Sequence, residues 1–118
     1  MKTIIAGSRN FNNYKFLCNA LKVFGEKITT VVSGGARGVD ALGERWATEN
    51  NIPIERYPAN WFAHGKVAEP IRNAQMADNA DSLIAFWDGK SKGTKNMLDL
   101  ARKQKLSITV IKISEDNI

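Results

Sequence analysis

The chain has one cysteine, Cys18, so no internal disulfide can form and a reducing compartment is the simplest setting. It also has one histidine, His64, and no thiol cluster, which leaves no usual ligand set for zinc. Neither a metal nor a cofactor is expected. No apolar run approaches the roughly 20 residues that a membrane-spanning helix needs, so no membrane partner is expected. Strand-like residues begin almost at the first position and leave no room for a signal peptide, which points to a cytoplasmic protein. Acidic residues are the scarcer charge, 12 against 17 basic, and the net +5 at pH 7 suits an anionic partner such as a nucleotide or a nucleic acid. A solvated basic surface would give the same balance.

What is present fits one domain over residues 1–118, with no repeat, low-complexity stretch or linker. Short β-branched or aromatic runs recur at Thr3–Ala6, Thr29–Val32, Ile52–Tyr57, Leu83–Trp87 and Ile108–Ile113. Between them lie residues at helical spacing. Tyr14, Leu17, Cys18, Leu21 and Phe24 form one apolar stripe, with Gly25 as its stop. Val39, Leu42, Trp46 and Ala47 mark a second helix, Ile71, Ala74, Gln75 and Asp78 a third, and Met97, Leu100 and Ala101 a fourth. The alternation predicts an α/β fold with a five-stranded, mainly parallel sheet covered on both faces, in the order 3-2-1-4-5. The stretch from Pro58 to Lys66 reads as a long irregular connection, of the kind that often carries function.

The glycines fall where such a fold binds ligands. Gly7 follows the first strand, Gly34, Gly35 and Gly38 the second, and Gly89 and Gly93 the fourth, all at the carboxyl edge. The segment Ser33-Gly34-Gly35-Ala36-Arg37-Gly38-Val39-Asp40 leaves a strand and opens a helix, the context of a phosphate loop. It is no Walker loop, since no Gly-Lys-Ser/Thr follows. Glu55 stands near the place of a ribose-binding acid. A tight strand-to-helix turn would explain the same glycines.

Gly7-Ser8-Arg9-Asn10 places a hydroxyl and a guanidinium at the end of the first strand, where Arg9 could grip a phosphate. A polar turn with Asn10 in a left-handed conformation is the alternative. Gly89-Lys90-Ser91-Lys92-Gly93-Thr94 is a second basic loop, with Thr94 as a candidate helix cap. Pro70-Ile71-Arg72-Asn73 opens the third helix and sets Arg72 near a helix N-terminus, an unfavourable place for a cation unless an anion shares it. Trp61, Phe62 and Trp87 could stack on a base, although burial against the sheet is the simpler expectation.

Taken in order, Ile4 to Arg9, Ser33 to Asp40, His64-Gly65-Lys66, Pro70 to Asn73 with Met76, and Gly93-Thr94 resemble the SLOG superfamily. That superfamily is Rossmann-like and includes the Smf/DprA and LOG families. The nearest resemblance is to its small YspA-like, YpsA-related branch of bacteria, phages and plasmids. It implies a Rossmann-like three-layer sandwich and a site for nucleotides or nucleotide-derived ligands, among which one containing ADP-ribose is a candidate. Carried over residue by residue, the ligand-binding set is Gly7, Ser8, Arg9, Ser33, Gly34, Gly35, Arg37, Gly38, Asp40, Lys66, Arg72, Asn73, Asp88, Gly89, Lys92, Gly93 and Thr94. Some LOG relatives cleave the N-glycosidic bond of nucleoside monophosphates with an arginine and a glutamate. Here Arg72 matches the arginine, Met97 stands at the glutamate's position, and Asp40 or Asp88 is the candidate substitute acid. Arg72 and Asp40 are therefore the catalytic pair if the chain is a hydrolase. Binding without cleavage is the first expectation, with single-stranded nucleic-acid binding, as in Smf/DprA, the weaker alternative. A homo-oligomer stays open.

Overall fold

The structure is a computed structural model and describes residues 1–114. The β-branched runs become five strands: β1 (Lys2–Gly7), β2 (Thr30–Ser33), β3 (Ile54–Arg56), β4 (Ser82–Trp87) and β5 (Ser107–Lys112). They form one sheet, parallel throughout, in the order β3-β2-β1-β4-β5. The sequence expectation of that order holds. The helices are α1 (Tyr14–Leu21), α2 (Val39–Glu49), α3 (Trp61–His64), α4 (Ala68–Asp78) and α5 (Lys92–Lys103).

Side chains alternate across a strand, so neighbouring apolar residues feed opposite cores. Ile5, Val31 and Ile84 pack with Leu17 and Leu21 of α1 and Trp46 and Ala47 of α2. Their neighbours Ile4, Val32 and Leu83 pack on the other face with Met76 and Ala77 of α4 and Met97, Leu98 and Ala101 of α5. Each such aliphatic side chain, fully removed from water, contributes about 1.5–3 kcal/mol. Two cores on one sheet fix which way every strand faces, because a one-residue slip would exchange them.

Three local expectations change. Gly25 does not end α1, which stops at Leu21 and runs on as a 3-10 segment through Lys22–Lys27 with Gly25 at φ 51° inside it. Strand β3 is shorter than expected: it lies at the sheet's edge and pairs with β2 alone, through Ile54, Glu55 and Arg56. The stretch from Pro58 to Lys66 is not irregular throughout. It holds the single turn of α3, capped by the Asn60 side chain, and then a 3-10 turn, Gly65–Val67. Among the described residues, no helix is long and apolar enough to cross a membrane.

The topology decides where a crevice opens. From β1 the chain winds outward through β2 to β3, then returns to lay β4 on the other side of β1. The loops after β1 and β4 therefore diverge above Gly7 and its partner Phe86.

Candidate functional site

The loop after β1 is anchored through backbone. Ser8 N donates to Phe86 O at 3.2 Å, while Ser8 O accepts from Phe11 N at 3.4 Å and from Val39 N, the first residue of α2, at 3.2 Å. Gly38 has φ 72°, and a side chain there would run into the backbone of Ser8 and Arg9. Only glycine lets the two loops close on each other in this way.

The loop after β2 is tied internally. Ser33 Oγ donates to Glu44 Oε2 at 2.7 Å and accepts from Gly35 N at 3.1 Å, while Ala36 N donates to Asp40 Oδ2 at 3.2 Å. Two N–H groups that a phosphate loop would offer are thus already engaged. Positive charge at this edge comes instead from side chains.

Arg72 is central among them. It projects from α4 with its side chain only 8% exposed. Its Nε donates to Asn73 Oδ1 at 3.0 Å, and its Nη1 donates to the carbonyl of Gly34 and, at 3.5 Å, to that of Tyr57. Burial draws the guanidinium down from its ordinary value, with the Asp40 carboxylate opposing, and an arginine remains charged throughout. Asp40 is pushed up to about 6 by burial; the Ala36 N–H, Arg72 and Arg9 act against the rise, and Glu44 adds to it. The helix N-terminus therefore does not hold this carboxylate at an ordinary value, because desolvation is the larger effect.

Asn73 Nδ2 reaches Asn96 Oδ1 at 2.9 Å and joins α4 to α5. After β4, Asp88 Oδ1 accepts from Lys90 N at 2.8 Å and Ser91 N at 2.9 Å, which holds the Asp88 carboxyl below its usual range. Ser91, not Thr94, caps α5: its Oγ accepts from Thr94 N, and Thr94 is buried beneath it with the two hydroxyl oxygens 3.0 Å apart.

These elements enclose a cavity of about 460 Å³, lined by Gly7, Ser8, Arg9, Asp40, Arg72, Asn73, Asp88, Gly93 and Thr94 from the expected set. A second cavity of about 360 Å³ adjoins it, lined by Gly34, Gly35 and Arg37 and again by Arg9 and Arg72. Both lie within the size range of small-ligand sites. Ser33 and Gly38 brace the loops from behind, while Lys66, Gly89 and Lys92 are exposed and line neither cavity. Ser8 is 1% exposed, and its Oγ makes no hydrogen bond of ordinary geometry, although Asp88 lies near enough to sense it.

Sequence reasoning missed Glu69, which pairs with Arg9 and stands 3.7 Å from Arg72. Its signal was there: an acid in a first helical turn, three residues before an arginine. Burial of Trp61 and Phe62 was also a wrong expectation. Both ride on α3, where Phe62 is fully exposed and Trp61 is half exposed beside the second cavity. Trp87 is half-buried, with Nε1 donating to Ser91 O at 3.1 Å. Glu55 is not a ribose acid here: it pairs with Lys2 Nζ at 2.7 Å, at the start of β1, and lines neither cavity. Asn10 does not adopt the left-handed conformation; among the described non-glycine residues, Asn51 and Lys105 do. No cluster of three or more metal-ligating side chains occurs among the described residues.

A parallel sheet of this order, with a polar crevice where the strand order reverses, defines a Rossmann-like protein. Residues 1–64 match the YAcAr family, described as YspA, cpYpsA-related SLOG, and the chain belongs to that family. It is 40% identical over 91 residues to the Gene 61 protein of Mycobacterium phage D29, an alignment covering 72% of this chain and 71% of that protein. Among solved structures it is similar to DNA processing protein A (DprA) from Streptococcus pneumoniae, with a TM-score of 0.79 at 17% identity. That likeness covers 97% of this chain but 51% of DprA, so the chain spans about half the length of that structure.

Proposed function

We propose that residues 1–118 act as one cytoplasmic nucleotide-binding unit, taking a nucleotide or nucleotide-derived ligand at the carboxyl edge of the sheet. The observation that carries this reading is Arg72, a buried guanidinium on the boundary of both cavities. A buried charge is costly unless it is matched. Arg72 is met mainly by neutral carbonyl and amide oxygens, with Asp40 titrating near it and Glu69 at 3.7 Å. A phosphate would give it a partner with more charge and more acceptor oxygens than a carboxylate, and Ser8 Oγ lies in the same wall with no hydrogen bond of ordinary geometry.

The test is calorimetric titration with 5′-AMP, NAD, ADP-ribose and cyclic dinucleotides. Arg72→Ala is expected to weaken the ligand that binds by about 1.5–3 kcal/mol, the scale of a charged hydrogen bond. Unchanged affinity would remove the assignment.

Cleavage of an N-glycosidic bond is the second reading, and Asp40 favours it: a carboxyl pushed up to about 6 inside a cleft is suited to proton transfer. Against it, the position that would carry the glutamate is Met97, an apolar side chain in the cavity wall. Nucleic-acid binding has less support. Lys92, Lys103 and Lys105 are exposed but line neither cavity, so they form no basic track into the site.

A further inference from the structure

Two guanidiniums converge on one carboxylate oxygen. Arg9 Nη2 pairs with Glu69 Oε1, and Arg72 Nη2 stands 3.7 Å from the same atom. Arg9 comes from the loop after β1, the other two from α4, and all three line both cavities. Glu69 therefore stands where the cavities meet. It occupies the first turn of α4, where the helix N-terminus also favours negative charge. The buried Ser8 Oγ, which makes no hydrogen bond of ordinary geometry and has Asp88 near it, belongs to the same cavity wall. This is an anion site held by the chain's own carboxylate.

We propose that Glu69 is a charge filter: ligands with a terminal phosphate or a pyrophosphate replace it between Arg9 and Arg72, and phosphodiesters do not. The proposal rests on the nucleotide reading and narrows it. A phosphodiester carries one negative charge, as the carboxylate does. Exchanging one for the other gains no charge and still separates Glu69 from its partners. A terminal phosphate brings about −1.5 to −2 charge at neutral pH and three acceptor oxygens. It can satisfy both guanidiniums and still repel the displaced carboxylate. A nucleic-acid backbone consists of diesters, so the same filter selects against it.

The experiment compares 5′-AMP with its phosphate methyl ester, two ligands differing in one charge and one methyl group. Calorimetry is run on the wild-type chain and on Glu69→Gln, whose side chain is nearly isosteric and partly exposed, with thermal melts confirming that both are folded. The wild type is expected to prefer AMP by about tenfold or more, the scale of one charged hydrogen bond. In Glu69→Gln the methyl ester is expected to tighten and the preference to shrink to about threefold or less. A preference unchanged by the substitution, or a loss of affinity for both ligands, would overturn the filter while leaving nucleotide binding in place. Absence of AMP binding to both proteins would overturn the filter, and absence of NAD and ADP-ribose binding as well would overturn the nucleotide reading itself. An oligonucleotide without terminal phosphates that binds the wild type as tightly as AMP would also overturn the filter.

Discussion

Arg72 fills the space that a side chain on Gly34 would occupy, and its Nη1 donates to the carbonyl of that same glycine. The glycine is there because the guanidinium is. A methyl group at this position would also approach Asp40 Oδ2 to 3.0 Å. Gly34→Ala is therefore expected to dislodge Arg72, cost about 1–3 kcal/mol as overpacking does, and remove ligand affinity. Urea unfolding and calorimetry on one variant check both halves. At Gly35 φ is 73° but the surroundings are open, so Gly35→Ala is expected to lose only about 1 kcal/mol, from backbone strain without overpacking. Gly38→Ala, which meets the backbone of Ser8 and Arg9, is expected to damage folding itself.

Asp40 makes stability depend on pH in an unusual direction for a carboxylate. Its folded value, about 6, lies above its ordinary 3.8. Below that ordinary value it is protonated in both states and carries no penalty. As pH rises towards 6 the unfolded chain releases the proton first, so this group's contribution falls, and it levels off above that. Asp40→Asn is expected to gain on the wild type by about 3 kcal/mol between pH 4 and 7, an order-of-magnitude figure for about two units. Denaturant midpoints at several pH values measure it. A difference that does not vary with pH would refute the shifted carboxyl.

Ser91 is expected to matter more to α5 than its neighbours in sequence suggest. Its hydroxyl accepts from Thr94 N and its carbonyl accepts from Trp87 Nε1. Ser91→Ala removes the cap and is expected to cost about 1 kcal/mol. Ser91→Asp, which retains a capping acceptor, is expected to recover most of it. Thermal melts of the two variants decide.

Binding is expected to proceed without rapid cleavage. Positive charge developing on a ribose needs a carboxylate beside it, and Met97 offers a thioether. Incubating the pure chain with 5′-monophosphates and NAD, then separating free base by chromatography, is expected to show no turnover. Turnover lost in Asp40→Asn or Arg72→Ala would establish the hydrolase instead.

The sheet order was legible because alternation of strand and helix leaves few right-handed windings, and paired residues such as Ile4 and Ile5 serve two faces whatever the details. The candidate cavity was legible to the extent that it is built at strand ends and the helix start that follows, where Gly7, Ser8, Arg9 and Asp40 line one space. What the sequence hid depends on partners distant along the chain. Glu69 shows its spacing to Arg72 in the sequence, but its pairing with Arg9 exists only once that distant residue folds across to it. Trp61 and Phe62 carry apolar bulk that predicts burial, yet the single turn of α3 packs on α4 and leaves Trp61 half and Phe62 fully exposed. Glycine spacing suggested free N–H groups, and short-range side chains, Ser33 and Asp40, had already claimed two in that loop, those of Gly35 and Ala36.

The carbonyl of Ser8 receives Phe11 N and Val39 N together, so the turn after β1 and the start of α2 share one fastening point. The consequence is kinetic. A receptor whose walls are already clamped loses little further freedom when it closes on a guest, and the ordering cost of association falls mainly on the guest. Capture of the proposed ligand is then expected to be a single encounter limited by orientation, accompanied only by the fast side-chain swing of Glu69. Stopped-flow traces should be single exponentials whose rate climbs linearly with ligand concentration and does not saturate.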